Sequence, residues 1–542
     1  MLMGIALVLA QDDMRALVER CDTDLRAVNR FYGVPASPAH AQRLEAFFAQ
    51  WQKTLAGVDF AALSQDGRID YLLLNNHLRH ELAELRREQA REQEIREIVP
   101  FAGAVAALET ARRDMESVDP KKIAEQLADL AKTVRKLRDV TPRPVLARRA
   151  ANLVRDLRAT LKTWHQFYSG YDPLFTWWVG RPYQDLDREL HEFESALKKR
   201  FGGAEEDGGE KLVGDPIGRE ALLAELAHEM VPYTPEELVE IANREFAWCD
   251  VEMKRAAADL KAGSWAEALE KVKKLHVEPG RQPDLVRDLA REALTFVDDR
   301  NLVTVPELCR EIWRMEMMPP ERQKITPFFT GGEVISVSYP SAEMPHEQKL
   351  MSMRGNNIHF SRATVHHEII PGHHLQKFMS SRYHAYRRPF NTAFLVEGWA
   401  LYWEMLLWDL KFPRSAEDRV GMLFWRSHRC ARIIVSLGFH LGTMKPAEMV
   451  DFLVKRVGHE PDGAMGEVRR YIAGGYGPLY QCAYMLGGLQ IRSLRAELSK
   501  MSDRDFHDGV LKENAIPIEM IRASLTKQNL TPEFSTNWKF SK

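Results

Sequence analysis

The sequence predicts a mainly α-helical protein with one small β element placed before its richest cluster of histidines. Three observations carry this. Apolar residues recur at helical spacing through most of the chain. Strand-like alternation is confined to a short stretch near residues 333–362. A composition of 45% hydrophobic and 28% charged residues over 542 positions suits a large folded core rather than a disordered chain.

Taken in order, residues 1–20 form an N-terminal segment of uncertain role. Met1–Ala10 resembles the apolar part of an export signal, with Ala10 before Gln11 as a cleavage edge, but it lacks preceding basic residues. Exported and cytoplasmic locations both stay open. The run is too short to span a bilayer, and no later segment reads as an integral membrane span. Residues 21–215 read as a helical lobe. Ile123, Leu127, Leu130, Val134 and Leu137 fall on one helix stripe, and residues 38–95 and 145–200 are similar. Gly202–Glu210 and Gly214-Asp215-Pro216 mark a break, either between two lobes or as an exposed excursion within one. Residues 216–542 read as a second helical lobe. Thr234-Pro235-Glu236-Glu237 is a helix start, with a Thr cap, Pro in the first turn and Glu at the third position. Val334–Tyr339 alternates like a strand, and Ile358-His359-Phe360 is expected as another.

Several function classes are disfavoured. Basic and acidic residues number 75 and 77, for a formal net charge of -2, so nothing draws the chain globally to nucleic acid. Five scattered cysteines form no C-x-x-C pair, and their odd number does not suit a disulfide framework; buried thiols are expected.

The chemistry concentrates in His366–Gln376 and in Glu397–Glu404. A hydrolytic zinc site commonly takes three protein ligands and leaves a position open. A neighbouring carboxylate then acts as general base. His367-Glu368 starts as the usual H-E-x-x-H does, but Pro371 stands where the second histidine belongs, and His373 follows six residues after His367. On an ideal helix, six residues turn through roughly 240° and advance about 9 Å, too far to share one ion. Pro371-Gly372 is therefore expected to kink or bulge the backbone and bring His373 to His367. The pairs His366 with His373 and His367 with His374 need the same distortion, so His366 or His374 stays open as a replacement ligand. Glu397, on a following helix, is the expected third ligand. Glu404 shares its face and is expected to orient a ligand imidazole, with His374 as a further support.

His367–Gln376 resembles the H-E-x-x-P-G-H-H-x-Q signature of the DUF885 family, whose members look like distant relatives of gluzincin metallopeptidases. Glu397–Tyr402 matches that family's E-G-W-A-x-Y element. Arg432–His440 resembles an R-x-x-x-D-x-G-x-H segment, with Ser436 for the Asp. Pro478–Gly487 resembles P-G-Q-x-x-x-Y-x-x-G, with Leu479 and Tyr480 for the Gly and Gln. The resemblance implies a two-lobed helical metallopeptidase-like fold with a zinc site at the floor of a cleft. It implies peptide-bond hydrolysis with His367, His373 and Glu397 as ligands of one zinc ion and Glu368 as base. His440 and Tyr484 become candidates to stabilise the oxyanion, and Arg470 to bind a substrate carboxylate or carbonyl. By analogy, Ile358–Phe360 would pair as an edge strand with a short peptide substrate. Two other functions stay open: a degenerate, non-catalytic protein that binds peptides or a partner, and an amidase or esterase using the same metal site.

Overall fold

In the computed structural model, residues 2–202, 212–323, 326, 328–472 and 475–541 are described, with side chains from residue 14 onward. The apolar side chains of Met1–Ala10 and the glycine-rich stretch 203–211 lie outside the described residues. What is described is mainly helical, with a single two-stranded sheet among the described residues. The chain divides into two compact units. One comprises residues 1–59 and 74–213, the other 60–73 and 214–542. The short piece 60–73 thus belongs with the C-terminal unit rather than with its neighbours in sequence.

The first unit is an array of amphipathic helices. In helix Pro120–Lys136, Leu127, Leu130 and Val134 are buried, and Ile123 and Leu137 pack at the edge of the same core. Asp119 caps this helix by accepting from the backbone N–H groups of Lys121 and Lys122. Helices Pro144–Tyr168 and Pro173–Lys198 complete the core around Trp164, Phe175 and Phe193.

The second unit carries the histidine cluster. Thr234 and Glu237 form the expected capping box at the start of helix Pro235–Asp259: each side chain accepts the other residue's backbone N–H. Beside it runs helix Ala416–His440, buried along almost its whole length. The strand expected over 334–339 is present as Val334–Val337. It pairs in parallel with Arg314–Met317, which has no strong strand signal of its own. Ile358–Phe360 is not a strand. It is the first turn of helix Ile358–Glu368, because Asn357 accepts from the N–H groups of His359 and Phe360 and so nucleates a helix. Phe360 then stacks on Phe424 at 4.1 Å, which fixes this helix against Ala416–His440. The expected edge strand for substrate is therefore absent at this position.

Helices Ala393–Asp409 and Tyr480–Glu497 approach closely through two glycines. A Cβ on Gly487 would lie 1.9 Å from the carbonyl oxygen of Phe394, and one on Gly398 would lie 2.5 Å from the Gly487 carbonyl carbon. Those atoms are backbone and cannot rotate away. All five cysteines are free and buried. No helix among the described residues is long and apolar enough to cross a membrane.

The glycine contact makes a prediction. Alanine is favoured over glycine inside a helix by about 1 kcal/mol. Here that gain is outweighed by overpacking, which costs about 1–3 kcal/mol. Gly487→Ala is expected to lower the denaturation midpoint in urea. A midpoint equal to that of the parent protein would show that the two helices do not need this contact.

Candidate metal centre

The six-residue spacing is accommodated by ending one helix and starting another. Helix Ile358–Glu368 stops at Glu368, and helix His373–Ser380 begins after four intervening residues. Ile369 lies outside helical angles, and the Ile370–Pro371 peptide is cis. In the turn, the N–H of Gly372 donates to the carbonyl of His366 (3.0 Å) and that of His374 to the carbonyl of Ile369 (2.9 Å). Residue 372 passes so close to the preceding helix that a Cβ there would sit 1.8 Å from the carbonyl oxygen of His367. Only glycine fits. The indole N–H of Trp399 donates to the Pro371 carbonyl at 2.8 Å and ties the turn to helix Ala393–Asp409.

The result brings His367, His373 and Glu397 together. One ligand atom from each lies within 4.8 Å of the other two, and all three residues are buried. The two imidazole rings stand perpendicular, with centroids 4.8 Å apart. Glu397 Oε2 lies 3.2 Å from His373 Nε2 and 3.7 Å from His367 Nε2. It is buried with no hydrogen-bond partner among the described residues. Glu397 Oε1, by contrast, accepts from the hydroxyl of Tyr480. Glu404, two helical turns beyond Glu397, meets His367 Nδ1 at 2.7 Å and leaves Nε2 facing Glu397. Two nitrogens and a carboxylate oxygen, one imidazole held from behind by a carboxylate, are the donor set of a catalytic zinc site. The residues present therefore fit the ion.

The electrostatics agree with a cation at this point. Burial alone would depress His367, but the nearby Glu397 carboxylate and the Glu404 carboxylate bonded to Nδ1 override that and raise its pKa to about 9. Burial likewise pushes Glu397 up, yet His373 and His367 hold it well below the ordinary carboxylate value. Glu404 is lowered too: Arg429 and His367 outweigh its burial. The cluster thus stabilises positive charge between carboxylates.

The other candidates separate clearly. Glu368, the last residue of its helix, lines a cavity of about 430 Å³ together with His367, His373 and Glu397. Tyr484 and Arg470 line it as well. The Tyr484 ring lies nearly parallel to that of His367, with centroids 6.2 Å apart. His440 does not line this cavity: it ends its helix eight residues beyond Arg432, about 12 Å along the axis. His374 points elsewhere, its Nε2 at 2.8 Å from the carbonyl oxygen of Cys309. It ties its helix to the segment at Cys309 and, among the described residues, makes no side-chain hydrogen bond to a proposed ligand. His366 packs edge-on against Phe412, and burial lowers its pKa to about 3. Neither alternative histidine pair is assembled. Spacing alone did not mark Tyr480, Arg429 or Arg432, which also line the cavity. For the two arginines, the signal available was the spacing by three of Arg426, Arg429 and Arg432 along one helix.

The fold and this centre define a helical protein with a buried two-histidine, one-carboxylate site. The chain belongs to the family described as bacterial protein of unknown function (DUF885), whose model matches residues 33–525. Two solved structures share the fold. One is a candidate lipoprotein of unknown function from Shewanella oneidensis, 16% identical, with a TM-score of 0.71 and coverage of 95% of this chain and 99% of that one. The other is a candidate lipoprotein from Colwellia psychrerythraea, 15% identical, with a TM-score of 0.62 and coverage of 96% and 99%. No curated protein matches the chain.

Two substitutions test the geometry directly. Glu404→Gln keeps the size of the side chain but removes the carboxylate behind His367, so zinc affinity is expected to fall about 10–100-fold. Gly372→Ala is expected to abolish stoichiometric zinc binding, because the turn cannot close. Competition with a chromophoric chelator measures both. Zinc bound with affinity unchanged by either substitution would count against this centre.

Proposed function

We propose that this protein is a zinc-dependent hydrolase that cleaves the peptide bonds of short peptides, with a gluzincin-like site built from the H-E-x-x-P-G-H-H signature. The observation that carries the reading is the convergence of His367, His373 and Glu397 on one point, with Glu368 facing the same cavity. When bound there, zinc supplies Lewis acidity to a carbonyl and makes water more acidic.

The chain's own groups account for the remaining requirements. Glu368 adjoins His367 in sequence and lines the same cavity; in this reading its carboxylate takes a proton from water and delivers it to the leaving amine. Tyr480 holds Glu397 through Oε1 and leaves Oε2 directed at the two imidazoles. Tyr484 presents a hydroxyl to the cavity, and Arg470 Nη2 donates to that hydroxyl at 3.3 Å. A cation beside the hydroxyl favours negative charge developing nearby, which suits stabilisation of an oxyanion. A cavity of about 430 Å³ admits a few residues of extended chain, so the reading favours short peptides over folded proteins.

Zinc analysis of the purified protein is expected to find one ion per chain, removed by a chelator together with hydrolysis of short peptides. Glu368→Gln should retain the zinc and lose about 10²–10⁴-fold in turnover. Hydrolysis that persists in this variant, or in chelated protein, would refute the assignment.

A further inference from the structure

We propose that Arg470, with Arg432 behind it, recognises the free C-terminal carboxylate of the substrate. The inference rests on the hydrolase reading and narrows it to removal of one or two residues from the C-terminus.

The first observation is an imbalance of buried charge. Arg432 is paired with Glu467, its Nη2 donating to Oε2 at 2.8 Å, and its Nε–H donates to the hydroxyl of Tyr471. The same Glu467 oxygen also accepts from Tyr471 and lies 3.4 Å from His428 Nε2. Arg470 has to share this carboxylate but reaches only to 3.7 Å from its other oxygen, beyond hydrogen-bonding distance. Among the described residues, its one hydrogen bond to a side chain is to the Tyr484 hydroxyl. Nε of Arg470 and Nη1 of Arg432 are buried without a partner among the described residues. Two guanidinium groups thus face one carboxylate at the wall of the cavity. A buried cation left so poorly paired is costly. An incoming carboxylate supplies the missing charge and matches the guanidinium fork.

The second observation is distance. Glu397 Oε1, the Tyr480 hydroxyl, the Tyr484 hydroxyl and Arg470 Nη2 form a chain of three hydrogen bonds, the last two 3.4 and 3.3 Å long. At about 3 Å per step the path is at most roughly 9–10 Å, which two extended residues of about 3.3–3.6 Å each span together with one carboxylate–guanidinium hydrogen bond of about 3 Å. A main-chain carboxylate held there puts the first or second peptide bond from the C-terminus at the metal centre. The rings of Tyr476 and Tyr480, with centroids 4.8 and 5.6 Å from the Arg470 guanidinium carbon, hold it in place. In the cleavage the peptide C–N bond breaks, the hydroxyl of water joins the acyl carbon, and the protons of water pass to the released amine and the new carboxyl group.

An acidic side chain offers the same chemistry as a free C-terminus, so the test separates the two. Binding of acetyl-Ala-Ala-Phe, its C-terminal amide and acetyl-Ala-Ala-Glu-amide to the zinc-loaded full chain is measured by calorimetry, and digests of the same peptides are read by mass spectrometry. The free acid is expected to bind about 10–100-fold more tightly than either amide. Arg470→Gln should erase that preference while leaving zinc content intact, and Arg470→Lys should restore part of it. Equal binding of acid and amide overturns the proposal in the unsubstituted protein, where folding is not in question. Preference for the glutamyl amide overturns the C-terminal assignment. Preference for the acid without hydrolysis of any peptide supports the carboxylate site and counts against the hydrolase reading instead.

Discussion

The centre depends on a place where the backbone allows no side chain. Gly372 runs against the carbonyl of His367, and that approach is what ends one helix and lets another begin. Without it, His367 and His373 would lie on different faces of a continuous rod. With it, their rings meet at right angles. The turn is held from a third direction by Trp399, two residues beyond Glu397 on the same helix. One helix therefore both clamps the turn and delivers the remaining donor. Position and chemistry are linked: a shift of that helix would move Glu397 and loosen the turn together.

Burying this many charges among apolar helices is costly unless each has a partner. Around the ligands the pairing is nearly complete. Glu404 lies between His367 and Arg429, Glu397 between two imidazoles and a tyrosine hydroxyl, and Arg432 against Glu467. The directions of the pKa shifts follow, with carboxylates pulled down and the shared imidazole pushed up despite burial. In this network positive charge on His367 is stabilised between two carboxylates. The pairing weakens at Arg470, on the cavity wall away from the ligands. A surplus of one sign there, in a chain whose overall charge nearly cancels, is a local feature of the site rather than of the composition.

Much of this was legible in the sequence, for specific reasons. Periodicity gave the helices, as Leu127, Leu130 and Val134 illustrate, because a stripe of that spacing has no other way to leave water. The mismatch of six residues between His367 and His373 required a distortion, and Pro371-Gly372 was the place able to supply it. What stayed hidden was non-local or capped by a single atom. Ile358–Phe360 has strand-like residues, yet the Asn357 side chain satisfies the first N–H groups of a helix and decides the outcome. Arg314–Met317 becomes a strand only through its partner at Val334–Val337. His440 shares a motif with Arg432, but adjacency in a motif says nothing of distance along a straight helix of 25 residues.

Tyr480 shows how a departure from a family pattern carries information. It stands where the resembling segment has Gln, and its hydroxyl reaches Glu397 Oε1. The carboxylate is thereby held from one side, with a single oxygen turned to the histidines. The same hydroxyl accepts from Tyr484, which in turn accepts from Arg470. Tyr480 and Tyr484 sit one turn apart on helix Tyr480–Glu497, and that helix is locked to the Glu397 helix where Gly487 and Gly398 touch. The separation between the Glu397 carboxylate and the two tyrosine hydroxyls is therefore set by a contact between backbones, which side-chain motion cannot relax. Under the proposed hydrolase reading, tyrosines so fixed would limit how far a carboxylate held by Arg470 could lie from the reacting bond.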